Sequence, residues 1–195
     1  MKILVFTDHH GSPEDLRKVA EKAKDVDYII CPGDFTIFEN EIEYIMEQMN
    51  KLPKKVYLLH GNHEDKETVE FLSKHFKNLE FFHKKVLKIK DVAIIGYGGG
   101  GFAIHDPEFE QWIKTTKEHT KGMKVILITH GPPHGTTLDL LSMGHVGSKS
   151  YRDYIKKEQP ILALSGHLHE TFGKKDKIGK TLVINVGPEG MVFKV

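Results

Sequence analysis

The sequence predicts an α/β fold, and three observations carry that prediction. Five short apolar runs (Ile3 to Phe6, Tyr28 to Cys31, Val56 to Leu59, Val125 to Thr129 and Ile161 to Leu164) are bounded and too short for ordinary helices, so each reads as a buried strand. Stretches with helical patterning separate them, as where Ile42, Ile45, Met46 and Met49 recur at helical spacing. Each run also stops at a polar cluster that contains glycine. Strands alternating with helices form a parallel sheet through right-handed crossovers.

Taken in order, the first run leads into Asp8-His9-His10-Gly11. Ser12 is a good N-cap, Pro13 suits a first turn, and Glu14 and Asp15 favour the positive end of a helix that runs to about Lys24. The second run ends at Pro32-Gly33-Asp34, and a helix is expected from about Phe38 to Lys51. The third ends at His60-Gly61-Asn62-His63-Glu64 and precedes a helix over about 66–76. Leu79 to Ile95 reads as short antiparallel strands, Tyr97 to Gly101 as a glycine-rich loop, and Asp106-Pro107 as the start of a helix to about His119. The fourth run ends at His130-Gly131-Pro132-Pro133, followed by a long polar loop to Gly147 and a helix capped by Ser148. The fifth ends at Ser165-Gly166-His167-Leu168-His169, and residues 172–195 alternate in strand fashion with a turn at Lys177 to Lys180.

The 195 residues suffice for one domain with a substantial core, and one domain over 1–195 is expected. The net charge of +1, from 28 basic and 27 acidic residues, gives no electrostatic case for long nucleic acid or an anionic membrane. No run approaches a membrane span, no signal-type leader opens the chain, and the single cysteine, Cys31, forbids an intramolecular disulfide. A cytoplasmic protein is the default expectation. Cys31 reads as a small core residue. Histidine is the outlier, with 13 copies, several at the ends of apolar runs.

In α/β sheets ligands bind beyond the carboxyl ends of the strands. All five polar clusters fall there, which gathers Asp8 and His10, Asp34, Asn62 and His63, His130, and His167 and His169 at one sheet edge. In extended chain Asp8 and His10 share a face, with His9 turned away. Mixed carboxylate, imidazole and carbonyl donors suit manganese, iron, zinc, cobalt or nickel. The set is too large for one ion and about right for two, which a shared carboxylate bridges at ~3.5–4 Å in two-metal hydrolases. Two divalent cations against two carboxylates leave positive charge over, which suits a phosphate.

With these residues in place, the sequence resembles the calcineurin-like metallophosphoesterases. The motifs that carry the likeness are Asp8-His9-His10, Gly33-Asp34, Gly61-Asn62-His63-Glu64, His130-Gly131 and Gly166-His167-Leu168-His169. Residues 130–148 also look like a small prokaryotic branch related to cyclic-nucleotide phosphodiesterases. The resemblance implies a four-layer α/β/β/α sandwich of two mixed sheets flanked by helices. It implies one metal held by Asp8, His10, Asp34 and His169, and a second by Asp34, Asn62, His130 and His167, with Asp34 bridging. His63 then contacts the phosphate beside the metals and helps protonate the leaving oxygen, and Asn62 also faces substrate. The implied activity is hydrolysis of a small phosphodiester or phosphomonoester by a metal-bridging hydroxide, with manganese the leading metal.

The sequence departs from the family in two places. Phe35-Thr36-Ile37-Phe38 stands where an Asp or Asn commonly follows Gly-Asp, and Glu64 replaces the commoner Asp after the motif histidine, where it would orient His63. Of the remaining histidines, His145 is the candidate for substrate contact, because a helix N-terminus follows it. His9 and His60 read as supporting residues, and His75, His83 and His119 as surface residues. A nuclease and a non-catalytic protein-binding scaffold are the alternatives. Neutral charge disfavours the first and retention of every ligand disfavours the second. The sequence leaves oligomeric state open.

Overall fold

A computed structural model describes residues 1–195. The chain runs β1 (Lys2–Val5), α1 (Pro13–Ala23), β2 (Tyr28–Cys31), α2 (Ile42–Asn50), β3 (Val56–Leu58), α3 (Lys66–Ser73) and β4 (Leu79–Phe81). It continues through β5 (Lys85–Ile89), β6 (Val92–Tyr97), α4 (Pro107–Thr115), α5 (Lys117–Thr120) and β7 (Lys124–Thr129). Then follow β8 (Leu140–Leu141), β9 (Gly144–His145), α6 (Lys149–Glu158), β10 (Leu162–Ser165), β11 (Lys175–Ile178), β12 (Thr181–Asn185) and β13 (Met191–Lys194).

The strands form a five-stranded sheet, β13-β1-β2-β3-β4, and a six-stranded sheet, β11-β12-β10-β7-β6-β5. Both are mixed. β1, β2, β3 and β4 are parallel, with β13 antiparallel at the edge; β6, β7, β10 and β12 are parallel, with β5 and β11 antiparallel.

Side-chain alternation explains the layering. Ile3, Val5, Ile30 and Leu59 pack with Ile94, Ile126, Ile128, Leu164 and Ile184, so the inward faces of the two sheets share one core. The alternate residues Leu4, Phe6, Ile29 and Cys31 pack against Val19, Ala23, Met46, Met49 and Val69, which puts α1, α2 and α3 on the outside of the first sheet. Ile95, Leu127, Ala163 and Val183 pack against Phe109, Ile113, Tyr151 and Ile155, which puts α4 and α6 outside the second. Strands buried on both faces read as continuous apolar runs, as these do. The four-layer arrangement is the one the resemblance implies, and Cys31 is a core residue. The five motif-bearing runs do not share one sheet edge. Three lie in the first sheet and two in the second, and their carboxyl ends meet where the sheets face each other.

Capping follows the sequence closely. Ser12, Asp106 and Ser148 accept from the amides of Asp15, Phe109 and Tyr151. Several details differ from expectation. α2 starts at Ile42 rather than near Phe38, because Phe38, Glu39 and Glu41 have φ of 49°, 63° and 54°, outside the helical region. β4 pairs parallel with β3 instead of joining an antiparallel array. The helix expected from Asp106 to His119 breaks at Thr116, whose Oγ1 donates to the Ile113 carbonyl. The loop before Gly147 carries the β8–β9 ribbon, because buried Asp139 collects the amides of Gly135, Thr136 and Gly147. His83 is buried rather than at the surface: its ring packs 4.7 Å from that of His60 and 4.9 Å from Tyr97, and its Nδ1 accepts from the Gly98 amide. His75 and His119 are exposed, as expected. No helix is long and apolar enough to cross a membrane.

Candidate metal centre

Asp8 and His10 follow β1, Asp34 follows β2, Asn62 and His63 follow β3, His130 follows β7, and His167 and His169 follow β10. The structure brings the carboxylates and imidazoles of this set into three overlapping groups: Asp8 with His10 and His169, His10 with Asp34 and His63, and Asp34 with His130 and His167. Within each group the donor atoms lie within 4.8 Å of one another. Asp34 and His10 each belong to two groups, and Asp34 is the one of the two that is a carboxylate. Asp8 and His10 do share a face, but not through extended chain. β1 ends at Val5, and Asp8 and His10 take φ of 53° and 46°. Asp34 and His167 are left-handed too, at 48° and 71°. Non-glycine residues are rare in this region, and their clustering here marks backbone held in place by its surroundings.

What holds it is a set of side-chain to amide hydrogen bonds. Asp34 Oδ1 accepts from the Asn62 and His63 amides at 2.8 and 2.9 Å. Both oxygens of Asp8 accept from the His167 amide at 3.0 Å, which ties the two sheets together. Gly61 allows the close approach of the first pair, since a Cβ there would collide with Asp34 Oδ1.

Glu64 does not orient His63. Its buried carboxylate accepts from the amides of Asp34, Gly61 and Thr36, each at 2.9 Å, and from Thr36 Oγ1 at 2.8 Å. The longer side chain therefore spans two loops and clamps the β2 turn to the β3 turn. Burial, followed by the Asp34 charge, pushes its carboxyl up to about 7. Glu64→Ala would orphan three amides at ~1–3 kcal/mol each. We expect a stability loss of about 3 kcal/mol or more, or roughly 6–12 °C in Tm at this chain length. Scanning calorimetry of the metal-free protein checks it, and a loss below about 1 kcal/mol would reject the clamp.

The donors fit divalent transition metals. His10 Nδ1 is 2.7 Å from the Thr36 carbonyl, so it carries the proton and leaves the Nε2 lone pair facing His169 Nε2 at 3.1 Å. Two imidazole nitrogens held face to face next to the Asp8 carboxylate are a ligand arrangement. His167 Nε2 is buried and has no hydrogen-bond partner, and burial, then neighbouring His130, lowers its pKa to about 4. A neutral, unpartnered nitrogen grouped with Asp34 and His130 is the orphan a cation would satisfy. His130 Nε2 lies 3.3 Å from Asp34 Oδ2 and 2.9 Å from Asn62 Oδ1. Burial alone would lower His130, but Asp34 reverses this and lifts it to about 9. Burial likewise opposes ionisation of Asp34, yet His130 holds that carboxyl well below the usual range.

His63 stands beside this set. Its Nε2 is 4.0 Å from Asp34 Oδ2, its ring meets the His10 ring edge-on at 4.8 Å, and its Nδ1 accepts from the Phe38 amide at 3.3 Å. That bond leaves the proton on Nε2, the atom turned toward Asp34. His145 is not drawn into the three groups. It pairs with Asp139 at 2.9 Å, and its ring faces His134 at 5.5 Å. Arg152 bonds the carbonyls of His134 and Gly135, so it braces this loop. His9 is buried with both nitrogens unpartnered, and Phe6 is its ring neighbour. Sequence reasoning missed the Thr36 carbonyl, the Glu64 clamp and the Phe38 contact. The first leaves no signal in side-chain identity; the other two coincide with the two departures from the family pattern.

The profile of the family described as Calcineurin-like phosphoesterase matches residues 1–171. No curated protein matches the sequence. Solved structures share the fold. A Thermus thermophilus protein aligns with a TM-score of 0.76 at 16% identity, over 96% of this chain and 90% of the other. A structure described as a novel archaeal phosphodiesterase aligns at 0.56 and 19% identity, over 96% and 84%. Phosphopantetheinyl hydrolase from Mycobacterium tuberculosis aligns at 0.59 and 12% identity, over 95% and 88%. The chain therefore belongs to the calcineurin-like phosphoesterase family. It is a metal-dependent phosphoric ester hydrolase.

Proposed function

We propose that the chain is a dinuclear phosphoesterase acting on a small phosphodiester or phosphomonoester. The observation that carries this reading is the membership of Asp34 in two donor groups at once, one with His10 and His63 and the other with His130 and His167, while His10 also groups with Asp8 and His169. Asp8, His10, Asp34 and His169 would hold one ion, and Asp34, Asn62, His130 and His167 the other. When bound, two divalent transition-metal ions, manganese foremost, supply Lewis acidity toward phosphate oxygens and acidify the attacking water.

The chain's own residues then do the following. Asp34 keeps its charge because His130, Asn62 and His63 all address it. Thr36 fixes the His10 tautomer. Glu64 holds the β2 and β3 turns at a constant separation, which sets the geometry of the donor set. His63 presents a proton at Nε2 to the leaving oxygen, and the Phe38 amide at Nδ1 keeps the ring in that tautomer. A near-neutral net charge and a site at the meeting of two sheet edges agree with a small substrate rather than with long nucleic acid. A role in the cytoplasm accords with this chemistry.

The test is hydrolysis of a chromogenic phosphodiester and the matching monoester by protein loaded with Mn²⁺, alongside its metal content. Two ions per chain and chelator-sensitive turnover support the reading. Turnover indifferent to chelator, or one ion per chain at full activity, overturns it.

A further inference from the structure

Phe38 is an exposed apolar residue in an unusual place. The residue is 74% exposed, and its ring stacks on that of His63 with centroids 4.2 Å apart and 26° between planes. It occupies a left-handed backbone conformation, φ 49°, as does the next residue, at 63°. A bulky residue there is an outlier that costs about 1–3 kcal/mol, and such strain persists only where surrounding bonds impose it. The bonds are present: the Phe38 amide to His63 Nδ1, the Glu39 amide to Thr36 Oγ1, and Glu39 Oε1 accepting from the Asp65 amide. The fold thus holds a phenylalanine rigidly over the catalytic side of the metal centre, with one ring face on His63 and the other in solvent. Burial does not explain it, and an aromatic face left open to water beside a polar site is available for stacking.

We propose that Phe38 is a specificity-determining residue that stacks a flat aromatic group carried by the substrate's leaving alcohol. The assignment rests on the phosphoesterase reading above and adds the substrate class: esters in which an aromatic ring, simple aryl or nucleobase, lies a short spacer away from phosphorus. The leaving oxygen must pass His63 to be protonated there, so the group attached to it emerges beside the ring that covers His63. Stacking on a single aromatic side chain is worth about 5- to 150-fold in affinity. Two other rings touch the centre but differ. Phe102 meets His167 edge-on, at 64°, and Phe172 lies on His169 rather than on His63.

The test uses Mn²⁺-loaded protein and non-reacting probes, so that it does not depend on turnover. Calorimetric Kd values are compared for 2-phenylethylphosphonate against ethylphosphonate, and for the 5′-methylenephosphonate analogue of adenosine 5′-monophosphate against the matching methylenephosphonate analogue of ribose 5-phosphate, in all of which a P–C bond replaces the cleavable ester. We expect the wild type to favour the ring-bearing member of at least one pair by about tenfold. Phe38→Ala should remove that preference and Phe38→Tyr should keep it. A nucleobase preference alone identifies the ring as a base, and preference in both pairs identifies any flat ring. No preference in the wild type, or one that survives in Phe38→Ala, overturns the proposal while leaving the hydrolase reading intact. Loss of chelator-sensitive hydrolysis would instead strike that reading.

Discussion

Asp34→Asn should lower kcat/KM by roughly 10³-fold or more and cut bound metal from the proposed two ions per chain to one or none. The magnitude corresponds to about 4 kcal/mol of transition-state stabilisation, within the several kcal/mol that metal ions contribute. The substitution is well controlled. Asparagine keeps an oxygen to accept from the amides of Asn62 and His63 at the Oδ1 position, so the loop geometry survives. What changes is Oδ2. A donor NH₂ replaces a charged acceptor 3.3 Å from His130 Nε2, and the charge proposed to bridge the two ions disappears. Circular dichroism, and Tm compared between the metal-free proteins, should stay close to wild type while metal analysis and turnover collapse. An Asp34→Asn protein that retained two ions and full activity would remove Asp34 as the bridge.

His63→Ala separates chemistry from metal binding. His63 shares a group with His10 and Asp34, yet its nearest carboxylate contact is 4.0 Å and its Nδ1 is occupied by the Phe38 amide. The substitution should therefore leave the metal content at two ions and lower kcat by about 10²- to 10⁴-fold, the usual range for a general acid. Substrates with good leaving groups need less protonation, so the loss should shrink for a nitrophenyl ester and grow for an alkyl ester. Equal losses for both, or loss of an ion, would reject the proton-donor role.

The divergence between sequence and structure falls along a physical line. Runs buried on both faces are legible directly, because such strands carry little besides apolar residues, and Ser12, Asp106 and Ser148 announce their helices by cap chemistry. The convergence of the Asp and His side chains is legible because strand ends in α/β proteins converge whatever the details of packing. The partition into two sheets is not legible from periodicity. Ile3 and Leu4 are equally apolar, although one faces the second sheet and the other faces α1. The segment 36–41 misleads because Ile37 and Phe38 look like the start of an amphipathic helix, whereas Thr36 Oγ1 and His63 Nδ1 capture the amides that would begin it. Glu64 finds partners other than the expected one because a one-carbon extension moves a carboxylate past His63 to a set of amides that sequence does not display.

The division of the donors between the sheets has a consequence in the language of chain entropy. His10 and His169 are 159 residues apart in sequence, and Asn62 and His130 are 68 apart. Ions held across those pairs would close loops of that span, as a crosslink does, and such closures remove more freedom from the unfolded chain the longer the loop. In that view the ions are also fasteners of the fold. The unfolding temperature should climb with free Mn²⁺, by the equivalent of about 2.7 kcal/mol at a hundredfold excess over Kd for a single site. Depleting the metal would first loosen the seam between the two halves of the sandwich rather than the helices on its outer faces.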